Sequence, residues 1–222
     1  MKIILLYGLR RSGNHFLIST ILQQYTNYVH INDVRLSYLN FEKYKNIDKN
    51  KSRIDNEWTG FKGVECVVIS MENKMIDFDI LDAFHKIKNC YSIILLRCPY
   101  SNFASNWKVY NKNYDKLIEI IKLWKIYANI YIDDNKLIKV LYDEFAVNNI
   151  YIINILQKLN INILKINTNE YIQYQDSSFK DENENKKRIN DTITSCVYKN
   201  DTEFIKLIED VEIYNLWNII IQ

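Results

Sequence analysis

The sequence holds one proline and four glycines in 222 residues. Such scarcity makes each of them informative, because positions that need a positive or fixed φ resist replacement for steric reasons. Four cysteines, Cys66, Cys90, Cys98 and Cys196, are scattered without a CxxC pair, and so are the three histidines. That excludes a metal-ligand spacing and, in a chain this long, a disulfide framework. No apolar run approaches the ~20 residues that a membrane span needs. Residues 2–7 are apolar but too short for a signal segment, and glycine and arginine follow at once. A soluble, reduced, cytoplasmic protein is expected. There is no excess of basic charge either. Lysine and arginine number 29 against 27 aspartates and glutamates, a formal +2. A general nucleic-acid binder is thereby disfavoured, while a local basic pocket for a small anion is not.

What the chain does have is isoleucine, asparagine, lysine and tyrosine, the residues of AT-rich codons. We read the skew as genomic drift, as in a large DNA virus or an AT-rich microbe, and draw little chemistry from the 17 tyrosines. With 48% hydrophobic residues a sizeable core can form, and residues 1–222 read as a single domain.

Residues 2–7 form a continuous apolar run, the mark of a strand buried on both faces. A glycine turn follows, and residues 14–25 then repeat apolar positions at helical spacing. Further strands are expected at 28–31, 66–70, 91–96, 137–142 and 162–166, with helices at 77–88, 99–110, 115–131 and 147–159. The helix over 115–131 carries Leu117, Ile120, Ile121, Trp124, Tyr127, Ala128 and Tyr131 on one stripe. Residues 35–62 read as a long loop or lid, 173–191 as a C-terminal loop, and 201–221 as helical. His85 reads as a surface residue of its helix. Alternating strands and helices mean an α/β fold with a central, mainly parallel sheet flanked by helices.

Two of the glycines, Gly8 and Gly13, stand at the G-x-x-x-x-G spacing of a phosphate loop between the first strand and helix. Such a loop turns backbone N–H groups onto phosphate oxygens, where a Cβ would block approach. The helix N-terminus adds its positive pole, and Arg10 and Arg11 add bidentate donors. An ATPase loop would continue Gly-Lys-Ser/Thr. Here Asn14 and His15 follow Gly13, so the phosphate-binding lysine and the magnesium-binding hydroxyl are both missing, which argues against phosphoryl transfer from ATP or GTP. A plain glycine turn is the alternative. At a second place, Arg97 ends the strand over 91–96, at the sheet edge where open α/β folds bind ligands. Pro99 suits a first helical turn. Ser101 and Ser105, four apart, lie on one helix face and can point the same way as Arg97.

Together these segments resemble the sulfotransferases that use 3′-phosphoadenosine 5′-phosphosulfate (PAPS), whose fold is like that of the P-loop NTPases. Arg11-Ser12-Gly13-Asn14-His15-Phe16 is similar to the family's Lys/Arg-Ser-Gly-Thr-Thr-Trp loop. Arg97 and Ser105 have the eight-residue separation of its second signature. Leu141-Tyr142-Asp143-Glu144-Phe145 is similar to its strand-ending Tyr-Glu-Asp-Leu. The resemblance covers about residues 1–170. It implies that Arg11 contacts the phosphosulfate bridge, that Ser12, Gly13, Asn14 and His15 cradle the 5′-phosphate, and that Arg97 and Ser105 hold the 3′-phosphate. Lys180, Lys186, Lys187 and Arg188 are candidates for the family's basic C-terminal loop, although its Arg-Lys-Gly motif is absent. No metal is implied, because arginines and amides supply the charge. The acceptor implied is a hydroxyl, less readily an amine, of a glycan or small molecule. The chain is short for the family, which suggests an acceptor site left open or completed by a second subunit.

Sulfuryl transfer needs a base near the acceptor. By the resemblance it comes from the stretch after the first helix, which holds His30 and Asp33, or from the end of a later strand, which holds Glu72. His30 has the most suitable ordinary pKa, and the three stand level. Two other functions fit the loop: a nucleotide or nucleoside kinase with a degenerate P-loop, and a non-catalytic nucleotide-binding protein of the same fold.

Overall fold

A computed structural model describes residues 1–32, 63–164, 166, 198 and 200–222. The expected lid over 35–62 and loop over 173–191 lie outside them, as do Asp33, Lys180, Lys186, Lys187 and Arg188. Five strands, β1 (Lys2–Gly8), β2 (Tyr28–Asn32), β3 (Cys66–Glu72), β4 (Cys90–Leu96) and β5 (Ile138–Leu141), form one parallel sheet in the order β2-β3-β1-β4-β5. The helices are α1 (Asn14–Leu22), α2 (Phe78–His85), α3 (Pro99–Val109), α4 (Tyr114–Asp133), α5 (Tyr142–Phe145), α6 (Asn149–Lys158), α7 (Thr202–Ile208) and α8 (Val211–Ile220). The expected α/β fold class is the one found.

Because every neighbour is parallel, both sheet faces must be covered, and the apolar strand runs supply both. Leu5, Tyr7, Ile69, Ile94 and Leu96 pack under α2, α3, α4, α7 and α8. Ile4, Leu6, Val68, Ile93 and Leu95 pack under α1, α5 and α6. Burying each such large side chain contributes about 2–3 kcal/mol. The stripe read on α4 is the buried one except for Tyr131, which is half-buried, and Trp124 packs against Phe103 edge to face at 6.0 Å between ring centres.

Three parts of the fold differ from expectation. Residues 162–166 form no strand among the described positions. Ile161 and Ile163 pack beside α1 and α6, Leu164 is exposed, and its N–H donates to Gln24 Oε1 at 2.8 Å.

 The exposure of Leu164 and this single bond show the segment crossing the end of α1, so its apolar residues serve the helix layer and not a sixth strand. The C-terminal helix is two helices, because the Asp210 side chain accepts from the Glu212 and Ile213 N–H groups and starts α8 anew. His85 is half-buried at the end of α2, with Nε2 3.0 Å from Oγ of the buried Ser92.

Asp201 fastens α7 to the rest. Its carboxylate accepts from Lys112 Nζ at 2.8 Å, from Trp107 Nε1 at 3.2 Å and from the Phe204 N–H at 3.1 Å. The Lys112 bond first, then the Phe204 and Trp107 bonds, hold this carboxyl down to about 2. A depressed folded pKa stabilises above the unfolded value and ceases to do so as pH falls through the folded one. Asp201→Asn is therefore expected to lower the melting temperature at pH 7, with the gap to the parent closing between pH of about 4 and about 2. Thermal melts across that range check this, and a gap that stays constant would overturn it.

Candidate functional site

The carboxyl ends of β1, β3 and β4 lie level, Gly8 being in register with Glu72 and with Leu95. Leu96 is in register with Leu141, so Arg97 and Tyr142 leave adjacent strands side by side. The loop between β1 and α1 lies over this edge. Arg11 and Gly13 take left-handed backbone, at φ 65° and 90°. Both loop glycines are sterically required. A Cβ on Gly8 would collide with Asn14 Oδ1, and one on Gly13 would collide with the Tyr142 ring.

The Ser12 N–H donates to the Leu9 carbonyl at 3.2 Å, and the Phe16 and Leu17 N–H groups donate to the Gly13 carbonyl. The N–H groups of Gly13 and Asn14 meet no acceptor among the described residues. They stand at the positive pole of α1, the arrangement that receives a phosphate. The Asn14 side chain turns the other way, donating to the Leu9 carbonyl and to Glu72 Oε1, each at 3.0 Å. Asn14 therefore faces the loop's outer side with its backbone alone. Glu72 also lies 3.6 Å from Arg10 Nε, and the Arg10 N–H donates to Asn73 Oδ1 at 2.8 Å.

The second constellation meets the first. Arg97 Nη1 donates to the Arg11 carbonyl at 2.8 Å, and its guanidinium lies 4.9 Å from the centre of the Tyr142 ring. Arg97 Nε is buried without a partner among the described residues. Arg11 Nε donates to Ser105 Oγ at 3.2 Å. Trp124 Nε1 donates to the Arg97 carbonyl, and the Asp143 carboxylate accepts from the Cys98 N–H at 2.7 Å, fixing the start of α3. Burial pushes the Asp143 carboxyl above the usual carboxylate range, against the opposing pull of that N–H and of Arg97. Ser101, unlike Ser105, is buried beside Cys98 at the start of α3.

Of the residues read as candidates, Arg10, Arg11, Ser12, Gly13, Asn14, Glu72, Arg97 and Ser105 thus converge on one edge. His15 and His30 form a separate pair, with ring centres 6.2 Å apart. Burial first, then the charge of His15, pushes His30 down to about 3. The Ser70 hydroxyl donates to Asn32 Oδ1 at 2.9 Å, so His30 Nε2, 2.9 Å from Ser70 Oγ, is left to donate to it. A ring whose protonated form is disfavoured this strongly is a weak proton acceptor, and the suitable ordinary pKa read for His30 is not the one it has here. Two residues escaped the sequence reading altogether. Asn102 and Asn106 are fully buried in α3 and donate to the Arg10 carbonyl at 2.9 and 3.3 Å. Their signal was two weak helix formers four apart on the helix that carries Ser105.

No family model matches the sequence, and no curated protein matches it. Among solved structures, the sulfotransferase domain of the Synechococcus PCC 7002 olefin synthase aligns with a TM-score of 0.53 at 13% identity, over 93% of this chain and 93% of that one. Mouse sulfotransferase SULT7A1, complexed with PAP, aligns with a TM-score of 0.44 at 15% identity, over 86% of this chain and 64% of that one. The chain has the sulfotransferase fold. No helix among the described residues is long and apolar enough to cross a membrane.

The contact between Gly13 and Tyr142 can be tested directly. Gly13→Ala adds a Cβ both at a positive φ and against the ring, and is expected to cost about 1–3 kcal/mol of stability. Urea denaturation measures it, and an unchanged midpoint would remove the ring from that position.

Proposed function

We propose that the protein is a sulfotransferase that takes a sulfuryl group from PAPS to a hydroxyl, or less readily an amine, of a glycan or small molecule. The observation that carries this reading is the meeting of Arg11, Arg97 and Ser105 at the loop whose Gly13 and Asn14 N–H groups have no described acceptor. The sulfotransferase fold supports it. The replacement of the ATPase loop's lysine and hydroxyl by Asn14 and His15 weighs against the kinase reading.

When bound, PAPS supplies an activated sulfuryl group and two phosphates. The Gly13 and Asn14 N–H groups, with the Arg10, Ser12 and His15 segments around them, would receive the 5′-phosphate at the α1 pole. Arg97 and Ser105 would hold the 3′-phosphate. The Arg11 guanidinium would offset charge gathering on the leaving phosphate. Lys187 and Arg188 are proposed to add positive charge to the 3′-phosphate. For the base we favour Glu72 over His30 and Asp33. Its carboxylate stands at the end of β3 beside the loop, whereas burial disfavours a proton on His30 and makes it a weak base. A second subunit is a candidate to complete the acceptor side.

Adenosine 3′,5′-bisphosphate (PAP) is expected to raise the melting temperature in the absence of magnesium, and Arg11→Ala and Ser105→Ala to reduce the shift. No PAP shift in the intact protein would sink the reading, and a shift with ATP and magnesium alone would move it to a kinase. Glu72→Gln keeps an acceptor for Asn14 and is expected to lower transfer by about 10²–10⁴-fold while PAP still binds. Full transfer by that variant would remove Glu72 as the base. Tight PAP binding with no transfer to any of a broad acceptor panel would point to a non-catalytic nucleotide-binding protein.

A further inference from the structure

The loop and α3 are joined by hydrogen bonds that neither the glycine spacing nor the arginine charges require. Asn102 Nδ2 donates to the Arg10 carbonyl at 2.9 Å and to Ser12 Oγ at 3.0 Å, which occupies both of its hydrogens. Asn106 Nδ2 donates to Asn102 Oδ1 at 3.1 Å, so the orientation of the Asn102 amide is set and its NH₂ faces the loop. Both side chains are fully buried, where an amide without partners is costly, on a helix for which asparagine has poor propensity.

We propose that Asn102, backed by Asn106, is a positioning residue that sets the direction of the phosphate-loop amides and joins the loop to Ser105 as one rigid unit. The proposal rests on the nucleotide reading above. A peptide unit is planar and trans, so its carbonyl and N–H point opposite ways. Holding the Arg10 carbonyl toward α3 turns the Arg11 N–H to the other side of the loop. The next unit behaves alike: Arg97 holds the Arg11 carbonyl, and the Ser12 N–H points back to the Leu9 carbonyl. On the same helix, one turn after Asn102, Ser105 accepts from Arg11 Nε. The two peptide units that lead into Gly13, together with the Ser12 side chain, are thus tied to the helix that carries the hydroxyl assigned to the 3′-phosphate, and the Gly13 and Asn14 N–H groups follow directly from them.

Calorimetric titration of the full chain with adenosine 5′-phosphate and with PAP tests this, at a temperature where circular dichroism shows parent and variants folded. Asn102→Ala is expected to weaken both ligands by the same factor, about tenfold, whereas Ser105→Ala weakens PAP alone. Asn102→Asp keeps the volume and the acceptor for Asn106 but loses the donors, and it is expected to weaken both ligands even if the alanine variant does not fold. Folded Asn102 variants that bind both ligands as tightly as the parent would overturn the proposal and leave the nucleotide reading standing. A parent that binds adenosine 5′-phosphate but not PAP would overturn the PAPS reading, while the Asn102 comparison on adenosine 5′-phosphate still decides the proposal. A parent that binds neither overturns both.

Discussion

The Tyr142 ring fills the space that a Cβ on Gly13 would need, and much of the carboxyl edge follows from that contact. Tyr142 can lie there because it leaves β5 beside Arg97, which leaves β4 at the level of the same register pair. The ring then has the loop on one side and the Arg97 guanidinium 4.9 Å from its centre. Arg97 in turn holds the Arg11 carbonyl, and Asp143, the next residue after the ring, holds the start of α3. Three chain segments far apart in sequence are thereby fixed against one another by a residue that has no charge to offer a ligand. A bulkier residue at position 13 would displace the ring before it disturbed any phosphate.

The five strands were legible in the sequence because a strand covered on both faces has to be an apolar run, and residues 2–7 and 91–96 are such runs. The same rule misled at residues 162–166. Ile161 and Ile163 are as apolar as strand residues, but they pack on the helix layer and leave the edge of the sheet at β5. Apolar content reports burial and not the partner that does the burying. The break between α7 and α8 was missed for a related reason, since Asp210 acts through a cap bond that periodicity does not register.

At the site, the sequence disclosed groups that carry charge or permit unusual backbone: Gly8, Gly13, Arg10, Arg11 and Arg97. It disclosed Ser105 through its spacing from Arg97. It did not disclose Asn102 and Asn106, because a neutral amide announces nothing until its partners are known and this composition is rich in asparagine. For His30 the sequence supplied an ordinary pKa and the fold replaced it. The residue lies in β2 against Ser70, and loss of water there holds the ring neutral. Glu72 gains by contrast, as a carboxylate with its own contacts to the loop.

The bond from Trp124 to the Arg97 carbonyl has a consequence of another kind. The indole is fully buried in α4, yet its N–H ends on the backbone of the residue that closes β4 at the ligand edge. Indole emission depends on the polarity and hydrogen bonding around that N–H. Any rearrangement of the Arg97 backbone would reach this one of the chain's four indoles through a single bond, so a buried helix residue shares the fate of the strand end.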